Sequence, residues 1–246
     1  MTTNYTDSDE CCATEEGNTK QLLVLHLDVS KPEEIRDAFA KVKAAFGRID
    51  VVFNNAGYAV AGELEGIPDE PAQTMFDVNF WGAVHVSHEA VRFFRDENKP
   101  QGGRLIQNSA GVGLVTIPTM GMYSCSSLEG FTETLNKELS PTWNIKISSV
   151  LFGGFVTEFS TSSLQVLPQH PAYADYANAA AAFRKLFGGA TVESQKKHGF
   201  GDPKKGVQKV YELSTLPNPP QGHQPVCTAV HRAAHEGGGR VRGAVG

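Results

Sequence analysis

The chain has 246 residues, 40% hydrophobic and 20% charged, with a net charge of -5. That length can bury a full domain core, and the acidic balance excludes a surface built to hold nucleic acid. No apolar run approaches the roughly 18 residues that cross a bilayer, so no membrane partner is expected.

Residues 1–20 are polar and acidic, too poor in apolar side chains to order themselves, and are expected to form a disordered tail. The start has no basic segment before an apolar core, so it is not expected to act as a secretory signal. Cys11, Cys12, Cys125 and Cys227 show no C-x-x-C spacing and read as free thiols of a reducing compartment, which points to the cytoplasm.

The nearly continuous apolar run Leu22 to Val29 suits a parallel strand covered on both faces. Ser30 and Glu33 are spaced as a capping box around Pro32. Ile35, Phe39, Val42 and Phe46 recur at helical spacing until Gly47. "IDVVFNNAG" reads as a second buried strand entering a tight turn, followed by a helical region from about 71 to 95. "GGRLIQNSAG" is a third strand, "YSCSSLEGFTETLNKEL" a helix, and "IKISSVLFGG" a fourth strand. This alternation predicts right-handed crossovers and an α/β fold with a doubly wound parallel sheet. Residues 160 to 202 read as a looser segment over the site, with one helical stretch at "YANAAAAFRKLFG". Asp202 before Pro203 caps a last helix. Beyond Asn218 no sustained period remains, so 219–246 is expected to be an irregular tail after a domain spanning 21–218.

From Leu22 to Phe159 the chain resembles the classical short-chain dehydrogenase/reductase family, in a form common among fungal members. The pieces are "LDV" (27–29), "NNAG" (54–57), Asn79 in "DVNFWG", "GGRLIQNSAG" (102–111), Tyr123 and "FGGFVTEF" (152–159), in the family's order. Each alone is weak, and together they are specific. The resemblance implies a Rossmann-like sheet, NAD or NADP as cofactor, and hydride transfer to or from a small carbonyl or alcohol substrate. It implies Tyr123 as acid/base, Asn79 in a proton relay, and Asp28 near the adenine. Asn55, Ala56 and Gly57 would lie along the ribose, and Phe155 and Thr157 at the carboxamide. It also implies a homo-oligomer formed through the helices matching 71–95 and 123–139.

The chain departs from that pattern. The family's serine falls on Ala110, leaving the neighbouring Ser109 as its substitute. The lysine one turn after the tyrosine is absent: Ser127 stands there, only Leu128 separates it from Glu129, and Lys137 is too distant to replace it. Two deleted residues rotate the rest of a helix by roughly 200°. Gly17 is the only glycine before Gly47, so no Gly-rich turn precedes Leu22, and the family's first strands are expected to be missing, leaving an incomplete sheet, truncated at its N-terminal side. Two functions follow: an impaired NAD(P)-dependent oxidoreductase, or a catalytically dead Rossmann-like remnant that acts as a pairing partner.

Blander readings stand beside these roles. Tyr123 can be a packed helix residue, Asn54 and Asn55 turn residues, Asp28 a strand-end acid, and Asn79 a ligand of the next strand's backbone. His85 with His88, and His231 with His235, have metal-compatible spacing without a third ligand, so no metal is expected. Arg240 and Arg242 are too few to make a nucleic-acid site.

Overall fold

Val51–Asn54 (β1), Gly103–Ala110 (β3) and Ile145–Phe152 (β4) are successive neighbours in a parallel sheet. Ala59–Ala61 (β2) and Leu164–Val166 (β5) pair separately, and Gly222–Val226 (β6) completes the order β1-β3-β4-β6. These elements belong to a computed structural model describing residues 22–160, 162–174, 179–187, 191–220 and 222–226. Among the described residues no helix is long and apolar enough to cross a membrane.

Alternation along β3 and β4 loads both faces of the sheet. Leu105 and Ile147 turn to one side, into a core with Ile35 and Phe39 of helix α1 (Pro32–Phe46), Val86 and Ala90 of α3 (Ala83–Arg92), and Phe93 and Phe94 beyond it. Ile106 and Val150 turn to the other side, against Leu213 of α8 (Pro203–Thr215). Each such side chain contributes about 1.5–3 kcal/mol by leaving water. The sheet is thus covered on both faces, as the alternation predicts.

The helical region expected at 71–95 runs as α2 (Asp69–Phe76), a wide turn Asp77–Gly82, α3, and a second wide turn Phe93–Glu97. Asp202 accepts the backbone N–H of Lys204 at 2.9 Å, with Pro203 in the first turn of α8. Gly47 ends α1 in the left-handed region (φ 79°), as its position predicts.

Four expectations change. Residues 22–28 form no strand, and Leu22 and Val24 are 58% and 78% exposed. A parallel strand needs neighbours for its ladder, and β1, the sheet's edge on that side, leaves Val51 and Phe53 exposed. The capping box does not form. Pro32 at the start of α1 puts Lys31 in the capping position; Ser30 bonds to Asp28 and Glu34 accepts the Asp28 N–H. The helix expected from Tyr123 onward is two helices, α4 (Gly121–Cys125) and α5 (Glu129–Glu138). Finally, β6 lies where an irregular tail is expected, so a sequence with no apolar run still supplies ladder partners for Ser148 to Phe152. The tail 1–20, Cys11, Cys12, Cys227, His231, His235, Arg240 and Arg242 lie outside the described residues.

Candidate active site

The strand ends of β1 and β3 open onto a cleft. Asn54, Asn55, Ala56, Gly57, Asn79, Asn108, Ser109, Ala110, Tyr123 and Ser126–Leu128 line it. In open parallel sheets ligands bind at the carboxyl ends of strands, because there the loops diverge and leave a crevice.

Behind this wall lies a buried polar chain. Asn54 donates to Gln107 Oε1 at 2.8 Å and to the Ala83 carbonyl at 3.0 Å. Gln107 in turn donates to Ser87 Oγ at 2.6 Å. Each amide is satisfied, so the network fixes the strand ends against α3. Asn55 accepts from Asn108 Nδ2 at 2.7 Å, joining the two strand ends at the cleft. Asn79, in the wide turn before α3, clamps Tyr58: its Oδ1 accepts the Tyr58 N–H at 3.1 Å and its Nδ2 donates to the Tyr58 carbonyl at 2.8 Å. Nδ2 also reaches Ser126 Oγ at 3.3 Å. Asn79 therefore bonds backbone, but that of Tyr58 just before β2 and not that of the strand following it as expected, with its amide still at the cleft.

Tyr123 packs among Ala59, Ala61, Met120, Phe183 and Phe159. Among the described residues nothing hydrogen bonds to its hydroxyl. Burial, reinforced by the Glu129 charge, pushes its pKa up to about 12. The phenol is thus an acid that keeps its proton at neutral pH.

The chain between Tyr123 and Glu129 explains the site's departures. Ser126 (φ -79°, ψ 7°) and Leu128 (φ -102°, ψ 7°) leave helical geometry. The helix breaks rather than rotating as one rod. Glu129 then begins α5, where the positive end of the helix favours a carboxylate. Its Oε1 accepts the Ser109 hydroxyl at 2.5 Å. Glu129 is a residue that sequence reasoning missed; its signal was the single leucine between it and Ser127.

Three expected residues lie off the cleft wall. Asp28 accepts from the Ser30 hydroxyl at 2.7 Å and sits 3.4 Å from Lys31 Nζ. The Ser30 bond, ahead of the Lys31 charge, holds its carboxyl below the usual range. Phe155 stacks edge-on against Phe152 with centroids 5.6 Å apart. Thr157 accepts the Phe159 N–H at 3.3 Å.

A second motif invisible in the sequence pins the covering segment. Arg184 of α6 (Ala179–Phe187) meets Glu63 at 2.5 and 2.8 Å and donates to the Leu167 carbonyl. The Arg184 bond, the largest influence, pulls the Glu63 pKa down to about 2. His85 Nδ1 is buried without a partner beside Trp81. No group of three or more His, Cys, Asp or Glu that could hold a metal occurs among the described residues.

The short chain dehydrogenase family profile matches residues 2–167, more than half the chain and including most of the stretch expected to be a tail. The chain belongs to the short-chain dehydrogenase family. An uncharacterized oxidoreductase of Schizosaccharomyces pombe is 36% identical over 205 residues, covering 82% of this chain and 66% of its own length. The oxidoreductase calM of Penicillium decumbens is 33% identical over 158 residues, covering 62% of this chain and 52% of its own. The chain therefore spans less than two thirds of the length of either relative. Among solved structures, a short-chain dehydrogenase from Streptomyces avermitilis superposes with a TM-score of 0.70 at 23% identity, covering 87% of this chain and 73% of its own. An alcohol dehydrogenase from Thermococcus sibiricus complexed with 5-hydroxy-NADP gives 0.62 at 24%, covering 84% and 74%. At those identities the likeness establishes the Rossmann-like fold.

Proposed function

We propose that this chain is an NAD(P)-dependent oxidoreductase acting on a small carbonyl or alcohol, with weak turnover. The observation that carries the reading is the convergence of Asn55, Ala56, Gly57, Asn79, Ser109 and Tyr123 on one cleft at the strand ends. Family membership and the oxidoreductase relatives support it.

The residues present suit the nicotinamide and ribose half of the cofactor. Gly57 keeps the wall open, since a Cβ there would come within 3.2 Å of Asn79 Oδ1. Asn55, Ala56 and Gly57 would border the ribose, Phe155 and Thr157 the carboxamide, and Asp28 the adenine. Residues 1–46 contain no Gly-rich turn of the kind that seats a pyrophosphate. Once bound, the dinucleotide would supply or take the hydride. Tyr123 holds the proton a reduced carbonyl oxygen requires, and Asn79 keeps an amide at the cleft beside Ser126.

The weak turnover follows from charge. Where the family has a lysine, Ser127 is neutral, and burial, followed by the carboxylate of Glu129, raises the phenol's pKa instead of lowering it. The break at Ser126 and Leu128 favours a second reading, a remnant that pairs with relatives in the cytoplasm without turnover. Pairing would use the face of α3 and α5, where His88 and Phe131 lie 6.1 Å apart.

Calorimetric titration with NADH and NADPH tests the proposal. We expect binding at about 100 µM or weaker, with turnover below the ordinary range of about 1–1,000 per second. No heat up to about 10 mM of either nucleotide would sink the enzyme reading and favour the remnant.

A further inference from the structure

Among the described residues, Ser109 and Glu129 form the one hydrogen-bonded pair at the cleft that joins a wall residue to a carboxylate. Ser109 closes β3, is 9% exposed, and lines the cleft. Its hydroxyl donates to Glu129 Oε1 at 2.5 Å. The second oxygen of Glu129 rests against Gly113, where a Cβ would come within 3.0 Å of it. Among the described residues no cation forms an ion pair with Glu129. The carboxylate is therefore free to act on Ser109, and no side chain among the described residues competes for it.

A serine hydroxyl has one proton and two acceptor lone pairs, whereas a carboxylate only accepts. With its proton committed to Glu129, Ser109 has only lone pairs left for a ligand. Tyr123, on the same cleft, offers the complementary function, a phenolic proton. An alcohol oxygen can accept from Tyr123 and donate to Ser109 together. A carbonyl oxygen can do only the first, and its lone pairs would face those of Ser109.

We infer that Glu129 is a positioning residue that turns Ser109 into a hydrogen-bond acceptor, so that the cleft prefers an alcohol over the matching ketone. This rests on the cleft proposed above as the substrate site and names which of its two substrate classes binds better. Glu129 does not line the cleft; besides the effect of its charge on Tyr123, it acts there through Ser109.

The test uses the whole chain with cyclohexanol and cyclohexanone as a matched pair of probes, titrated by ligand-observed NMR. The parent should bind the alcohol about tenfold more tightly. Glu129→Ala frees the serine proton and should erase the preference. Glu129→Gln, whose amide oxygen still accepts, should keep it. Ser109→Ala should also erase it, and serves as the second variant should Glu129→Ala fail to fold. A parent that binds neither probe, binds both alike, or prefers the ketone overturns the inference, as does a preference that survives in Glu129→Ala or in Ser109→Ala. The two readings fail separately. Nucleotide binding with no alcohol preference defeats the role of Glu129 alone. An alcohol preference without nucleotide binding defeats the oxidoreductase reading alone.

Discussion

The phenol of Tyr123 lies among Met120, Phe159 and Phe183, with the Glu129 charge acting on it. Its pKa of about 12 in the fold, against about 10 in an unfolded chain, carries a stability consequence. Below pH 10 both states hold the proton and nothing is lost. Between pH 10 and 12 the unfolded chain releases it first, so the parent should lose about 3 kcal/mol relative to Tyr123→Phe across that window. Urea unfolding of both proteins at pH 9, 10.5 and 11.5 measures the difference; parallel curves would contradict the burial of the phenol. At this scale the sequence was informative where a residue's role is local. Tyr123, Asn79 and the 54–57 turn reach the cleft because neighbouring residues set their positions. Glu129 was hidden because its place depends on how the chain absorbs a shortened helix.

Elements meet through two contacts of opposite tolerance. Gly82 lets the turn at 28–31 dock on α3, since a Cβ there would sit 2.8 Å from Val29 Cγ2 and 3.0 Å from the Val29 carbonyl. Gly130, in the first turn of α5, would meet nothing within 4 Å. Gly82→Ala should therefore destabilise by about 1–3 kcal/mol, while Gly130→Ala should stabilise by about 0.5–1 kcal/mol. Thermal unfolding orders the two, and the reverse order refutes the docking contact. The covering segment is held differently, by the Glu63–Arg184 pair, whose side chains are 3% and 15% exposed. Because the Glu63 pKa is lowered from 4.5 to about 2, its contribution is complete above about pH 4.5 and lost as pH falls toward 2. Glu63→Gln should cost about 3 kcal/mol at pH 7. The gap between parent and variant should close between pH 4.5 and 2; a gap independent of pH would assign the loss to packing. Helix spacing made α1 and α8 legible, with Gly47 and Asp202 marking an end and a start. The Glu63–Arg184 pair joins residues 121 apart in sequence, and no local pattern announces it.

At the scale of the whole molecule, the alternation of strands and helices correctly gave a parallel sheet with both faces covered. It failed at the sheet's two sides, because pairing depends on which neighbours are present and not on a strand's own composition. "LLVLHL" has strand chemistry and finds no ladder, whereas "GHQPV" lacks it and pairs with β4. Among the described residues that side is unpaired, leaving Leu22, Leu23, Val24 and Leu27 exposed, together with Val51 and Phe53 of the edge strand β1. An open edge with apolar side chains invites association through its free N–H and C=O groups, a hazard that edge lysines suppress by charge repulsion. Val51→Lys with Phe53→Lys should thus lower the fluorescence of a bound hydrophobic dye and reduce light scattering on concentration. Val207 and Tyr211 of α8, 68% and 63% exposed, provide the control, since they are apolar neighbours on a helix face, where no backbone ladder is free. Lysines at both should leave dye binding and scattering near the parent's. Equal effects from the two pairs would mean that added charge alone keeps the protein dispersed. An effect confined to β1 would locate the stickiness at the open edge of the sheet.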